Sequence, residues 1–152
     1  MKKISVYVDT SVFGGVFDDG FKEASSLFFK QVKEGSFEIL ISPLVQNEIS
    51  FAPERVQNFY NKIFPFAKII DISDEALKLR DLYLSAKIVS TKYSNDALHV
   101  ALATTFGCPM IISWNFRHIV HFEKITLYNI INVSKGYKEI SIYSPQEVIS
   151  YE

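Results

Sequence analysis

Four oxygen-bearing side chains stand at the edges of the chain's apolar runs. Asp9 directly follows Ile4-Ser5-Val6-Tyr7-Val8, Glu48 lies in a short segment behind Phe37 to Ile41, Asp96 heads Ala97 to Ala103, and Asn115 comes just after Met110 to Ser113. Hard divalent cations such as magnesium and manganese take oxygens of this kind in octahedral geometry and keep several waters. A site for them therefore needs about two to four such groups brought together from separate elements. Each residue also has a plainer use: Asp9 could cap a turn, Glu48 could be a solvated helix residue, and Asp96 could serve the dipole of a helix start. Position tells against the plain uses taken together. Charged groups that flank the most apolar strands of a chain need a reason to be there.

The elements that must position these groups follow from periodicity. Ile4 to Val8 is β-branched and aromatic and reads as a buried strand, with Asp9, Thr10 and Ser11 at its carboxyl end. In open α/β sheets that end of a central strand faces the ligand crevice. Val12-Phe13-Gly14-Gly15 is expected to turn the chain into a helix with Ala24, Leu27, Phe28 and Val32 on one face, closed by Gly35. Phe37 to Ile41 is the second strand, and the strand-helix-strand order requires a parallel, right-handed crossover. Leu44 to Ser50 reads as a short helix carrying Glu48, and Pro53 opens another with Val56, Phe59, Tyr60 and Ile63 on its stripe.

Ala67 to Ile72 is expected as a third strand, followed by a helix capped at Ser73 and running to about Ala86. Ser94-Asn95-Asp96 starts a helix that is apolar on nearly every side through Ala103, hence packed beneath its neighbours. Met110 to Ser113 is the fourth strand and delivers Trp114 and Asn115 to the crevice addressed by Asp9. Phe116 to about Ser134 reads as a helix, although Ile125 to Ile131 could also form a strand. Glu139 to Tyr143 alternates as a short last strand, and Ser144-Pro145-Gln146-Glu147 is a capping box with Pro at the first helical position. The sum is an α/β fold with a mainly parallel sheet, in a single domain spanning residues 1–152.

Composition bounds the function. Hydrophobic residues make up 48% of the chain, with 13 Phe and 8 Tyr, which excludes a disordered protein. The net charge of -1 supplies no global cationic field, so any contact with nucleic acid is local. The single cysteine, Cys108, has no partner for an internal disulfide and reads as a packing residue. With no secretory segment and no long apolar run, the expected compartment is the cytoplasm and no membrane contact is expected.

Four motifs in order resemble the PIN domain family: V-D-T-S after the first strand, N-E-I in the short helix, N-D-A-L-x-x-A-L-A opening the buried helix, and S-W-N-F-R-H after the fourth strand. The resemblance covers essentially the whole chain and looks nearest to the small prokaryotic members that act as VapC-type toxins. It implies a three-layer α/β/α sandwich, acids that hold Mg2+ or Mn2+, hydrolysis of RNA phosphodiesters, dimerisation, and inhibition by a cognate antitoxin. Asp9, Glu48 and Asp96 match the family's acids. Asn115 stands where many members have a fourth, and brings an amide oxygen without the charge. Thr10 matches the hydroxyl beside the first acid. Together with Ser113, Arg117 and His118 it is a candidate for contacting substrate, the two cations through a phosphate.

Two other readings compete. One is a degenerate PIN domain that binds RNA or a protein partner without cutting, motivated by Asn115. The other is a receiver-like phosphoacceptor domain, which also gathers acids around magnesium at strand ends but leaves Glu48 and Asp96 without a role. His99, three residues after Asp96 and near its helical face, could be a partner of the acids or a phosphate contact. The reading preferred from sequence is a core histidine bonded to backbone. Trp114 is read as packing rather than as a base-stacking platform, and His118 and His121 as surface or substrate-edge residues.

Overall fold

The structure is a computed structural model in which residues 3–151 are described. In chain order its main elements are β1 (Ile4–Val8), α1 (Thr10–Gly15), α2 (Lys22–Lys33), β2 (Phe37–Ile41), α3 (Pro43–Ile49), α4 (Glu54–Ile63), β3 (Ala67–Ile69), α5 (Asp74–Ser85), α6 (Ser94–Phe106), β4 (Met110–Ile112), α7 (Phe122–Ser134), β5 (Ser141–Tyr143) and α8 (Pro145–Val148). The strands lie in the order β3-β2-β1-β4-β5, and all neighbours run parallel. From β1 the chain builds outward to β3 on one side, then returns to lay β4 and β5 on the other. The reversal falls between β1 and β4, and it opens a crevice past the carboxyl ends of those strands.

The helices form two groups, one on each side of the sheet. On one side α1, α2, α4 and α8 pack together with α2 against β2, and on the other α5, α6 and α7 pack together with α6 against β4. The first group is held by aromatic rings: Phe13 lies 5.1 Å from both Phe29 and Tyr60, and Phe29 lies 5.0 Å from Phe59 between ring centres. The second group is built round α6, whose residues from Ala97 to Thr104 are all buried, as its all-round apolar sequence predicts. Gly107 ends α6 at φ 87°, a left-handed conformation that a residue with a Cβ adopts only at a cost.

Several boundaries differ from expectation. Val12 to Gly15 belongs to a helix rather than a turn, because Val12 and Phe13 are fully buried and the short helix turns both inward. Gly15 is required there by close approach: a Cβ would lie 2.6 Å from Ser25 Oγ and 2.7 Å from Trp114 Nε1. The third strand stops at Ile69, although Ile70 N–H still donates to Ile41 O. The helix expected from Phe116 begins only at Phe122. Residues 116 to 120 wrap round Asn115 instead, whose backbone oxygen accepts from Ile119 and Val120. Ile125 to Ile131 is helical, which resolves the alternative left open by its sequence. Ser144 and Glu147 form the expected capping box.

Candidate active site

β1 and β4 end side by side, with Val8 in register with Ile112, so Asp9 and Ser113 emerge together. Asp9 is only 4% exposed, and its carboxylate accepts from Ser11 Oγ at 2.6 Å and from Ser113 Oγ at 2.7 Å. It makes no side-chain capping bond to α1. Ser11 Oγ in turn accepts from Trp114 N–H, and Ser113 Oγ from Asn115 N–H, each at 2.9 Å, so the β4 exit is tied to the acid through two hydroxyls.

α3 brings in Glu48. Its start is set by Ser42 at the N-cap with Pro43 at the first position, where proline's fixed φ and missing N–H cost nothing. Glu48 Oε1 accepts from Thr10 Oγ1 at 2.7 Å and lies 2.7 Å from His99 Nε2. His99 Nδ1 lies 2.8 Å from the Tyr7 hydroxyl, which is 2.8 Å from Ser42 Oγ. His99 is thus a buried histidine, but both of its nitrogens face side chains. The backbone partner preferred from sequence is replaced by an acid and a phenol.

Asp96, in the first turn of α6, lies through Oδ2 2.9 Å from His118 Nδ1, and the His118 ring is packed 4.0 Å from that of Tyr93 between centres. Asn115 Oδ1 accepts from the backbone N–H groups of His118 at 2.9 Å and Arg117 at 3.2 Å. Its oxygen therefore shapes the loop that carries His118 to Asp96. Arg117 is exposed beside it. The hydroxyls of Thr10 and Ser113, candidates for substrate contact, donate to Glu48 and Asp9. Trp114 is buried, stacked 4.2 Å from Phe21 with its Nε1–H donated to Ser25, which is the packing role read from sequence.

The acids differ in electrostatics. Burial pushes the Asp9 carboxyl above its ordinary pKa; His99 and the two serine hydroxyls pull it down, and nearby Glu48 adds to the rise. For Glu48 burial also acts upward, but the hydrogen bond and charge of His99 and the bond from Thr10 outweigh it, leaving the carboxyl below its ordinary value. Burial raises the Tyr7 hydroxyl far above its ordinary range, so it stays a neutral partner.

Among the described residues no three His, Cys, Asp or Glu side chains are gathered closely enough to enclose a metal ion. Magnesium needs no such cage: it keeps several waters and commonly takes about one or two carboxylates. The donor chemistry fits a cation of this kind. Among the described residues Asp9, Glu48 and Asp96 form no ion pair with lysine or arginine, and Glu48 Oε2 and Asp96 Oδ1 accept no hydrogen bond. Tyr7, Ser11, Ser42 and Tyr93 were not assigned a part from sequence. Tyr7 was the most accessible, since it stands two residues before Asp9 and so on the same face of its strand.

The sequence matches the PIN domain family over residues 6–120, and the chain belongs to that family. This removes the receiver-like alternative. Among solved structures it is similar to VapBC2 from Rickettsia felis bound to a DNA fragment from their promoter, with 15% identity, TM-score 0.55, and coverage of 93% of this chain and 98% of that one. It is also similar to FitAcB from Neisseria gonorrhoeae, with 9% identity, TM-score 0.60, and coverage of 94% and 99%. A third likeness, to FitAB bound to an IR36 DNA fragment, has 10% identity, TM-score 0.61, and coverage of 97% and 99%. At these identities the likeness is one of fold. No curated protein matches the sequence.

Proposed function

We propose that the protein is an Mg2+- or Mn2+-dependent endoribonuclease that acts in the cytoplasm as the toxin of a toxin-antitoxin pair. The observation that carries this reading is Asp9: a carboxylate buried at the switch point of a PIN fold, held by hydroxyls alone, with Glu48 near enough to raise its pKa. A buried acid without a lysine or arginine partner is costly to the fold, and a divalent cation offsets that cost. In this reading Asp9, Glu48 and Asp96 would hold the metal together with its waters, about one or two of them by direct contact. When bound, it acidifies an attacking water and offsets charge on the phosphate.

The protein's own groups do the positioning. Ser11 and Ser113 hold Asp9, Thr10 and His99 hold Glu48, and His118 holds Asp96. Arg117, exposed beside Asn115, would meet a phosphate of the RNA in this reading. Asn115, already accepting two N–H groups, keeps the loop in shape. The antitoxin rests on the resemblance to VapC-type toxins and on the likeness to VapBC2 and FitAB, and pairing of two copies of this chain rests on the resemblance alone.

The test is cleavage of single-stranded and structured RNA by the purified chain with Mg2+, Mn2+ or EDTA, alongside Asp9→Asn. Cleavage that needs the metal and vanishes in the variant is expected. Cleavage that survives EDTA, or RNA binding with no cleavage in either metal, overturns the reading, and the second outcome favours the non-cutting PIN domain.

A further inference from the structure

We propose that His99 is a positioning residue which, through Tyr7 and Ser42, locks the Glu48 carboxylate to the central strand so that Glu48 and Asp9 present themselves to a divalent cation as one rigid pair. The proposal rests on the metal reading above. It concerns a residue that touches neither metal nor RNA.

The geometry is a closed ring. Glu48 rides on α3, and Ser42 caps α3, its Oγ accepting from Val45 N–H at 3.5 Å. Tyr7 touches that same Ser42 Oγ on one side and His99 Nδ1 on the other, each at 2.8 Å, and His99 Nε2 returns to Glu48 at 2.7 Å. The start of the helix and the acid it carries are therefore both referred to one phenol on β1. That phenol lies two residues from Asp9, on the same face of the strand. Thr10, next to Asp9, holds the same Oε1 from the opposite direction. With Oε1 engaged twice and the side chain 28% exposed, Oε2 is the oxygen left to act.

His99 is itself 2% exposed and belongs to α6, three residues after Asp96. One helix thus supplies an acid directly and fixes another through its imidazole. A histidine that merely filled space would need no acid at one nitrogen and no tyrosine at the other. Buried polar groups linked in a series restrict one another's rotation, and partners of this kind commonly set metal affinity.

Two amide side chains separate positioning from packing. In His99→Gln the amide nitrogen reaches the place of Nε2 and keeps the bond to Glu48, whereas in His99→Asn it reaches the place of Nδ1 and keeps only Tyr7. Mn2+ binding to the full chain is measured by calorimetry, with thermal melts of the metal-free proteins beside it. The expected result is a Kd for Mn2+ raised about 10- to 100-fold in His99→Asn, which frees Glu48, and by a smaller factor in His99→Gln, which keeps Glu48 bonded and loses only the tie to Tyr7, although both variants lose the ring and similar thermal stability. Tyr7→Phe, which keeps the ring packing, should weaken binding in the same direction, and it serves alone if His99→Asn does not fold. Equal Mn2+ affinity in the two amide variants, or unchanged affinity in Tyr7→Phe, overturns the positioning role. A native chain that binds no Mn2+ sinks the metal reading itself and this proposal with it.

Discussion

Two acid-histidine pairs, Glu48–His99 and Asp96–His118, are built in opposite ways. Glu48 and His99 meet inside the molecule, with the histidine 2% exposed, carried by a buried helix and braced by Tyr7. Asp96 and His118 meet at the rim, with the histidine 12% exposed, carried by a loop and backed by the ring of Tyr93. Both pairs show similar separations, 2.7 Å and 2.9 Å. Distance therefore does not tell them apart; the support behind each histidine does. The inner pair is fixed by its fold, while the outer one depends on a few hydrogen bonds around Asn115.

The largest effect should not distinguish the pairs at all. Glu48→Gln and Asp96→Asn each remove an acid from the proposed metal site, and each should cut RNA cleavage by roughly 100-fold or more, the scale of a single preorganised electrostatic group. A large loss in one with little in the other would mean that only one pair serves the site. The histidines, by contrast, should differ. His118→Gln, whose amide nitrogen reaches the place of Nε2 and so gives up the Nδ1 contact with Asp96, measured by the same Mn2+ calorimetry, should weaken binding less than His99→Asn, because solvent replaces a rim partner more readily than a buried one. Equal losses would erase the contrast.

Asn115 sharpens the outer half. Asn115→Ala should release the loop and reduce cleavage without altering the inner pair. Asn115→Asp keeps an acceptor for both N–H groups and adds charge, so it should lower the metal concentration needed for cleavage. A higher requirement would show that the neutral amide is needed.

The smallest expected effect is on stability without metal. Asp9 has a raised folded pKa, so between its unfolded and folded values the native state holds the extra proton, and stability falls as pH climbs through that window. Asp9→Asn should therefore raise the neutral-pH Tm by roughly 2–4 °C, the shift that about 1 kcal/mol produces in a domain of this size. The gain should shrink as pH drops toward 3.8. Glu48, lowered in the fold, has the opposite sign: its contribution is present above 4.5 and lost as pH falls through the folded value. Thermal melts of Asp9→Asn and Glu48→Gln across acid pH should thus diverge in opposite directions, and parallel curves would refute the assignment.

The central place of β1 and the position of Asp9 at its end were legible because β1 is a continuous apolar run that ends on a charge. Helix α6 was legible for the same reason, since no exposed face interrupts it. The α1 helix was hidden because Gly14 and Gly15 resemble a turn locally, while Gly15 serves the close approach of Ser25 and of Trp114, the latter far away in sequence. Tyr7 looked like one more strand residue, and its hydroxyl acquires a role only when residues 35 and 92 positions distant meet it. The acids could be proposed from local pattern, but what holds each of them is long-range and belongs to the tertiary fold.

The parallel order of the sheet also governs when this crevice comes into being. Asp9 leaves the ribosome well before the serine that closes over it, which lies 104 residues later. At about 5–20 residues per second, that gap is roughly 5–20 s. During it β1 has no neighbour on its β4 side, and Asp9 lacks the hydroxyl of Ser113. The growing chain carries the first acid through this interval, yet the assembled site exists only once β4 has joined β1.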